Sequence, residues 1–298
     1  MSAVGAGILT TAPDLSAPAS SRWRRAGTLI RTNPLGVFGL VAVLLLVVFA
    51  VFAPQIAPHD PEAFVGDGLL NPTPEHPFGT DRLGRDMFSR VVYGARVSLI
   101  VGFSAVLFGT LLGTGIGIVS GYAGGAVDSF IQRTVDTAIA FPILLFLLIL
   151  RKILGASLET LIIAVGIAIV PAVARVVRGA VLSERNNQYV EAARTLGAST
   201  PRILLRHIAP NVVALSIVIM TNLLGTAILA EATLAFLGLS IPDQVTWGKD
   251  VSDARNSFPV HVWWAFFPGA AITLVVLGFN LLGDSLRDIL DPRLRGRL

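Results

Sequence analysis

Residues 97–121 read VSLIVGFSAVLFGTLLGTGIGIVSG, and this stretch decides the fold class. It carries no ionisable side chain, and its run from Val97 to Val119 is long enough to cross a hydrocarbon layer roughly 30 Å thick as a helix. Helix is the form required there, because lipid offers no partner to free backbone N–H and C=O groups. Gly109, Gly113, Gly117 and Gly121 recur at every fourth position, which places all of them on one helix face. Small residues at that spacing let a second backbone approach where lipid supplies no hydrophobic drive for association. The stripe is therefore read as a packing face, toward a helix of this chain or of another subunit. The alternative, that glycine is simply common in membrane helices, does not explain the strict period.

Further spans lie on both sides: Leu35–Ala53, Thr137–Leu150, Thr160–Ala174, Ile208–Ala230 and Val262–Gly283. Thr137–Leu150 is short, so it is expected to extend past Arg151 and Lys152, whose heads snorkel outward. The apolar stretch from Ile208 to Leu239 exceeds one crossing, which predicts a break near Gly225 or Glu231. Trp263 and Trp264 fit an interfacial aromatic belt. The composition agrees: 298 residues, 53% hydrophobic and 14% charged, with mean hydropathy +0.73. The expectation is an all-α integral membrane protein with six transmembrane helices. Residues 1–33 read as a cytoplasmic, mostly disordered tail, and residues 34–298 as the transmembrane domain. The first span is longer than a signal-peptide core and ends in Ala53-Pro54 without a small-x-small site, so it reads as uncleaved.

With the N-terminus inside, six crossings place most of the 23 Lys and Arg on the inner side, including the group from Arg175 to Arg206. That bias predicts both termini cytoplasmic. The net charge of +4 then reports loop orientation rather than nucleic-acid binding. The chain has no cysteine, which excludes disulfides and thiolate chemistry. His59, His76, His207 and His261 are scattered without metal-ligand spacing, so no metal site is expected. Neither Lys152 nor Lys249 lies in a phosphate-binding GxxxxGK[ST] frame, and no catalytic constellation is found.

Two outer segments exceed simple linkers: 54–96, long enough for a small external cap, and 238–261. The inner loop 175–206 is punctuated as a helix. Asn187 is a plausible N-cap, Glu191 lies in the first turn and Arg194 in the last, and Gly197 fits the left-handed C-terminal position. Thr200-Pro201 reads as the cap and first residue of the next helix. This two-turn helix is expected to present Tyr189, Val190, Ala192, Ala193 and Leu196, either to a groove of another protein or to lipid headgroups. Glu231 is read as a cap, or as a partner of an arginine at the outer interface, in preference to a solute contact. Arg133 and Asp136 are expected to pair along one helix, and Asp284, Arg287 and Asp288 to form the polar inner end of the last span.

Glu191-Ala192-Ala193, then Gly197, then Pro210 resembles the EAA motif of bacterial ABC-importer permeases, with His207 and Ala209 departing from its apolar positions. His76-Pro77-Phe78-Gly79-Thr80-Asp81-Arg82-Leu83-Gly84-Arg85-Asp86 resembles the outer-loop signature of the C-type subunit of the dipeptide/oligopeptide/nickel permeases. Gly121-Tyr122-Ala123-Gly124-Gly125 with Asp128, Arg133 and Asp136 fits the same group, as do Leu234–Leu239, Phe279–Asp284, Leu286-Arg287-Asp288 and Leu290-Asp291-Pro292. The resemblance covers residues 34–294.

It implies an ABC importer type I permease fold in the bacterial plasma (inner) membrane. It also implies a heterodimer with a B-type permease, and two ABC ATPase subunits, or a homodimer of one, that bind ATP and Mg. An extracytoplasmic solute-binding protein and membrane lipid complete the partners. By the same resemblance Tyr189, Val190, Glu191, Ala192, Ala193, Arg194, Leu196, Gly197 and Ala198 form the ATPase-coupling helix. Gly79, Thr80, Asp81, Gly84, Arg85 and Asp86 belong to the external loop. The implied role is a non-catalytic permease subunit for di- or oligopeptides, with nickel or another small solute as the alternative. A stand-alone secondary transporter or channel would need ionisable groups within the spans, and their cores offer almost none.

Overall fold

The structure, a computed structural model, describes residues 33–258 and 260–290. The expected tail up to residue 32 lies outside them, as do Asp291-Pro292 and the arginines that follow. Among the described residues the regular elements are helical: besides a single turn at Ala53–Ile56, they are α1 (Pro34–Val51), α2 (Met87–Ala123), α3 (Gly125–Ala140), α4 (Ile143–Leu154), α5 (Leu158–Glu184), α6 (Gln188–Thr195), α7 (Thr200–Leu239), α8 (Trp247–Ala254) and α9 (Val262–Leu290). Of these, α1, α2, α5, α7 and α9 are each long and apolar enough to cross a bilayer.

The glycine stripe of α2 packs against α5, within this chain, in the most extensive helix–helix contact of the fold. A Cβ built on Gly113 would lie 2.7 Å from Val173 Cβ, one on Gly117 2.7 Å from Val177 Cβ, and one on Gly121 2.8 Å from Val181 Cβ. Gly109 faces Ile169 and the carbonyl of Gly166 in the same way. Each step of four residues on α2 meets a step of four on α5, in the same direction. The two helices therefore run parallel, and the chain must return across the layer between them. Only α3 and α4 are available for this, and together they pass as a sixth crossing bent by 93°.

That bend departs from the single span expected over Thr137–Leu150. Proline disfavours the helical region for the residue before it, and Phe141 accordingly takes φ −83°, ψ 131° ahead of Pro142. The helix stops at Ala140 and restarts at Ile143.

Two other boundaries moved. α2 begins at Met87, because the Asp86 side chain caps it by accepting from the Ser89 amide at 2.8 Å. The expected loop 54–96 therefore contracts to residues 54–86, closed by antiparallel bridges between Phe64 and Arg85 and between Thr80 and Asp86. α7 does not break at Gly225 or Glu231. It continues as helix up to a kink at Gly238, with wider π turns at Leu204–Ile208, just before Pro210, and at Ala235–Leu239. Gly225 is a packing position, its missing Cβ only 3.2 Å from the Val276 carbonyl, whereas Gly238 turns the chain with φ +86°. α1 packs on α9 by another close approach, Gly39 against the Gly278 carbonyl. The buried core runs through the bundle from Ala95, Val101, Ala105, Leu161 and Val165 to Val173, Val177, Ile208 and Ile228. The folded segment 54–86 and α8 mark one end of this bundle, and α6 marks the other.

Candidate functional site

At the α6 end, Gln188–Thr195 forms the short helix. Asn187 occupies the N-cap position, but its amide donates to Glu184 Oε2 at 2.9 Å instead of capping a backbone N–H. Gly197 takes φ +79°. Ser199, not Thr200, is the residue before the next helix, which shifts the expected Thr200-Pro201 boundary by one. Val190 is fully buried and anchors the helix, and Ala193 and Ala198 pack on the same core. Val190 and Ala193 thus turn inward instead of being presented. Tyr189, Glu191, Ala192, Arg194 and Gly197 face out, and Leu196 stands 87% exposed.

The helix is tied to three others. The Arg194 guanidinium lies 5.9 Å from the Tyr122 ring at the end of α2. The Tyr189 hydroxyl donates to Glu184 at the end of α5, and Asn211 of α7 donates to the Tyr189 oxygen at 3.0 Å. Burial and then the adjacent Glu184 carboxylate push the Tyr189 phenol above its ordinary value, so it stays protonated and remains a donor. Arg185 donates to the free carbonyls of Gly121 and Tyr122, at 3.0 and 3.2 Å, where α2 ends. Arg178 forks onto Asp128 at 2.6 and 2.5 Å. Asp136 pairs with Arg175 across helices, not with Arg133.

At the opposite end, Gly79 and Gly84 both take φ +74° and bring backbone against the carbonyls of Leu70 and Gly66. Thr80 donates to the Asp67 carbonyl at 2.6 Å and accepts from the Leu70 amide at 2.9 Å. Asp81 accepts from the amides of Leu83 and Arg85 at 2.8 and 2.9 Å, and from Arg85 Nε at 2.6 Å. Arg85 continues to Glu62 at 2.7 Å.

Arg90 is the residue that sequence reasoning missed. It falls within the outer segment 54–96 expected from the sequence, yet it is wholly buried. Its head donates to Asp250 of α8 at 2.9 and 2.6 Å, to the Pro61 carbonyl at 3.0 Å and to Glu62 at 3.0 Å. Partial burial pushes the Glu62 carboxyl up, but Arg90 and Arg85 outweigh it and hold it below its usual value. Trp247 completes the join, its indole N–H donating to the Val91 carbonyl at 2.8 Å in space left by Gly94.

Arg151 does not snorkel. It is 2% exposed, and its head donates to the carbonyls of Gly155 and Ser157 and to Thr160 Oγ1 at 2.7–2.8 Å. Glu231 is neither a cap nor half of an ion pair among the described residues: it is 1% exposed, and both carboxylate oxygens lack a hydrogen-bond partner there. Two apolar grooves of about 570 and 580 Å³ run along α3 and α4, lined by Ile116, Phe130 and Val135 in one and by Phe141, Phe146 and Ile167 in the other.

Residues 113–296 match the family described as binding-protein-dependent transport system inner membrane component. Residues 21–72 match the N-terminal TM domain of oligopeptide transport permease C. The dipeptide transport system permease protein of Alkalihalophilus pseudofirmus is 41% identical over 295 residues, covering 97% of either chain. The oligopeptide transport system permease protein of Bacillus subtilis is 40% identical over 95% of this chain and 94% of its own. A glutathione transport system permease protein of Escherichia coli is 42% identical over 92% and 90%. The fold resembles a solved amino acid ABC transporter, crystallised with histidines, at TM-score 0.51 and 17% identity over 71% of this chain and 95% of that one.

Proposed function

This chain belongs to the binding-protein-dependent transport permeases, in the C-type branch of the peptide importers, and we propose that it forms half of an ATP-driven translocation path for di- or oligopeptides. It is a multi-pass, non-catalytic membrane component that works with other transporter subunits. Its relatives serve dipeptide, oligopeptide and glutathione transport, which favours peptides over nickel. The second half of the path is a B-type permease, seated on the apolar α3–α4 grooves. ATP and Mg are bound by two ATPase subunits beneath α6, and a solute-binding protein delivers peptide at the cap end. The α6 end, carrying Arg175 to Arg206, faces the cytoplasm of a bacterium whose plasma membrane holds the complex. The parallel α2–α5 pair supports six crossings, which returns both termini to that side.

The observation that carries this reading is the mounting of α6. One face is sunk in the core through Val190, and the other offers Leu196, Glu191 and Ala192 on a helix tied to α2, α5 and α7. Such a helix transmits a push without deforming. Closure of the ATPase pair would move α6 and turn the path from inward- to outward-facing. In proteoliposomes with the partner subunits, Glu191→Arg is expected to assemble normally and lose peptide-stimulated ATP hydrolysis. Normal stimulation in that variant, or peptide uptake by the isolated chain without ATP, would overturn the proposal.

A further inference from the structure

His59 and His76, far apart in sequence, are brought by the folded 54–86 segment to the Asp86 carboxylate that caps α2. One ligand atom from each of the three lies within 4.8 Å of the others. His76 Nδ1 is 3.0 Å from Asp86 Oδ1, and His59 Nδ1 is 3.9 Å from Asp86 Oδ2. The imidazole centroids are 5.6 Å apart. Four ligands at about 2.1 Å around a tetrahedral ion stand about 3.4 Å from one another, so the 3.0 and 3.9 Å nitrogen–oxygen separations bracket what a bound ion needs.

Two features argue against a plain hydrogen-bonded cluster. His59 Nδ1 is shielded from solvent and has no hydrogen-bond partner among the described residues. Asp86 is fully buried and meets no guanidinium among the described residues: Arg85 is directed to Asp81 and Glu62, and Arg90 to Asp250 and Glu62. Among the described residues its charge is met by the Ser89 amide and hydroxyl, at 2.8 and 2.7 Å, and by His76. A buried carboxylate is stabilised by a paired cation, and here the ligand atoms that could share one with it belong to two imidazoles.

We propose that His59, His76 and Asp86 form a site for one divalent transition-metal cation of the zinc class, with water as fourth ligand, that fastens the 54–86 segment to the start of α2. Two imidazole nitrogens and one carboxylate oxygen are a borderline donor set that favours Zn²⁺, Co²⁺ or Ni²⁺ over Ca²⁺ or Mg²⁺. On binding, the His76 proton moves from Nδ1 to Nε2. The ion is resident in the cap and is not the solute, so the site stands whether or not peptide is the cargo.

The test is equilibrium dialysis of Zn²⁺ against the full chain in nanodiscs after stripping with chelator, with Co²⁺ visible absorption as a second probe. One Zn²⁺ per chain is expected, with the absorption of a four-coordinate N/O site for Co²⁺. Loss of an outer-shell partner alone weakens metal sites 10–100-fold, so His59→Ala, which removes a direct ligand, is expected to weaken binding at least about tenfold. His76→Asn, which keeps an amide donor toward Asp86 and so preserves the cap of α2, is expected to do the same. No bound zinc in the wild-type chain, or an affinity in either His59→Ala or His76→Asn equal to that of the wild type, would overturn the proposal.

Discussion

Leu196→Ala is the sharpest probe of the surface at α6. The side chain is 87% exposed and touches none of the bonds that hold the helix, which run through Val190, Tyr189 and Arg194. Trimming an exposed side chain changes stability by no more than about 0.5 kcal/mol. Fully burying a leucine contributes about 1.5–3 kcal/mol, of which alanine retains about a third. If the residue enters a cleft of an ATPase subunit, the variant forfeits about 1–2 kcal/mol of docking, or a five- to thirtyfold rise in Kd. The assay is titration of purified ATPase subunits onto nanodiscs carrying the permease pair, alongside peptide-stimulated ATP hydrolysis. An unchanged Kd with an unchanged melting temperature would refute the reasoning, because it would place Leu196 in lipid headgroups or in solvent.

Gly117→Val inserts a side chain where even a Cβ would lie 2.7 Å from Val177 and 2.8 Å from the Ala174 carbonyl. Overpacking of this kind costs about 1–3 kcal/mol, and a lowered melting temperature in detergent is expected, while Gly115→Ala, with nothing within 4 Å, serves as the neutral control. Arg90→Ala strands buried Asp250 without its cation, a loss of about 3–5 kcal/mol. Faster hydrogen exchange across residues 54–86 is expected, with substantial recovery in the Arg90→Met/Asp250→Leu double variant; unchanged exchange in Arg90→Ala would contradict the assigned role.

The spans were legible because hydropathy and the fourfold glycine period are local properties. Gly109 to Gly121 could be assigned to a face from spacing alone, although spacing could not say that α5 was the partner. The bend at Phe141-Pro142 was also written locally, in a proline, but an unbroken apolar run masked it. Arg90 and Arg151 were misplaced for a different reason. An arginine beside a span reads as interfacial until its acceptors are known: Asp250 is brought to Arg90 only by tertiary packing, whereas Arg151 folds back onto the Gly155–Thr160 turn that closes its own helix, a conformation that hydropathy does not encode. The meeting of His59 with His76 likewise depends on how the cap folds back. At α6 the punctuation of the sequence located the helix, while the inward turn of Val190 and Ala193 followed from the angle at which α5 and α7 hold it.

The valine-on-glycine seam between α2 and α5 has a mechanical corollary. Because every fourth residue of one helix is keyed to every fourth of the other, a slip of one residue along the axis would drive branched side chains into backbone. Shear is blocked, and the pair tilts as a single spar. A displacement applied at Tyr122 and Glu184, where the seam ends, is therefore shared by both helices instead of sliding one along the other.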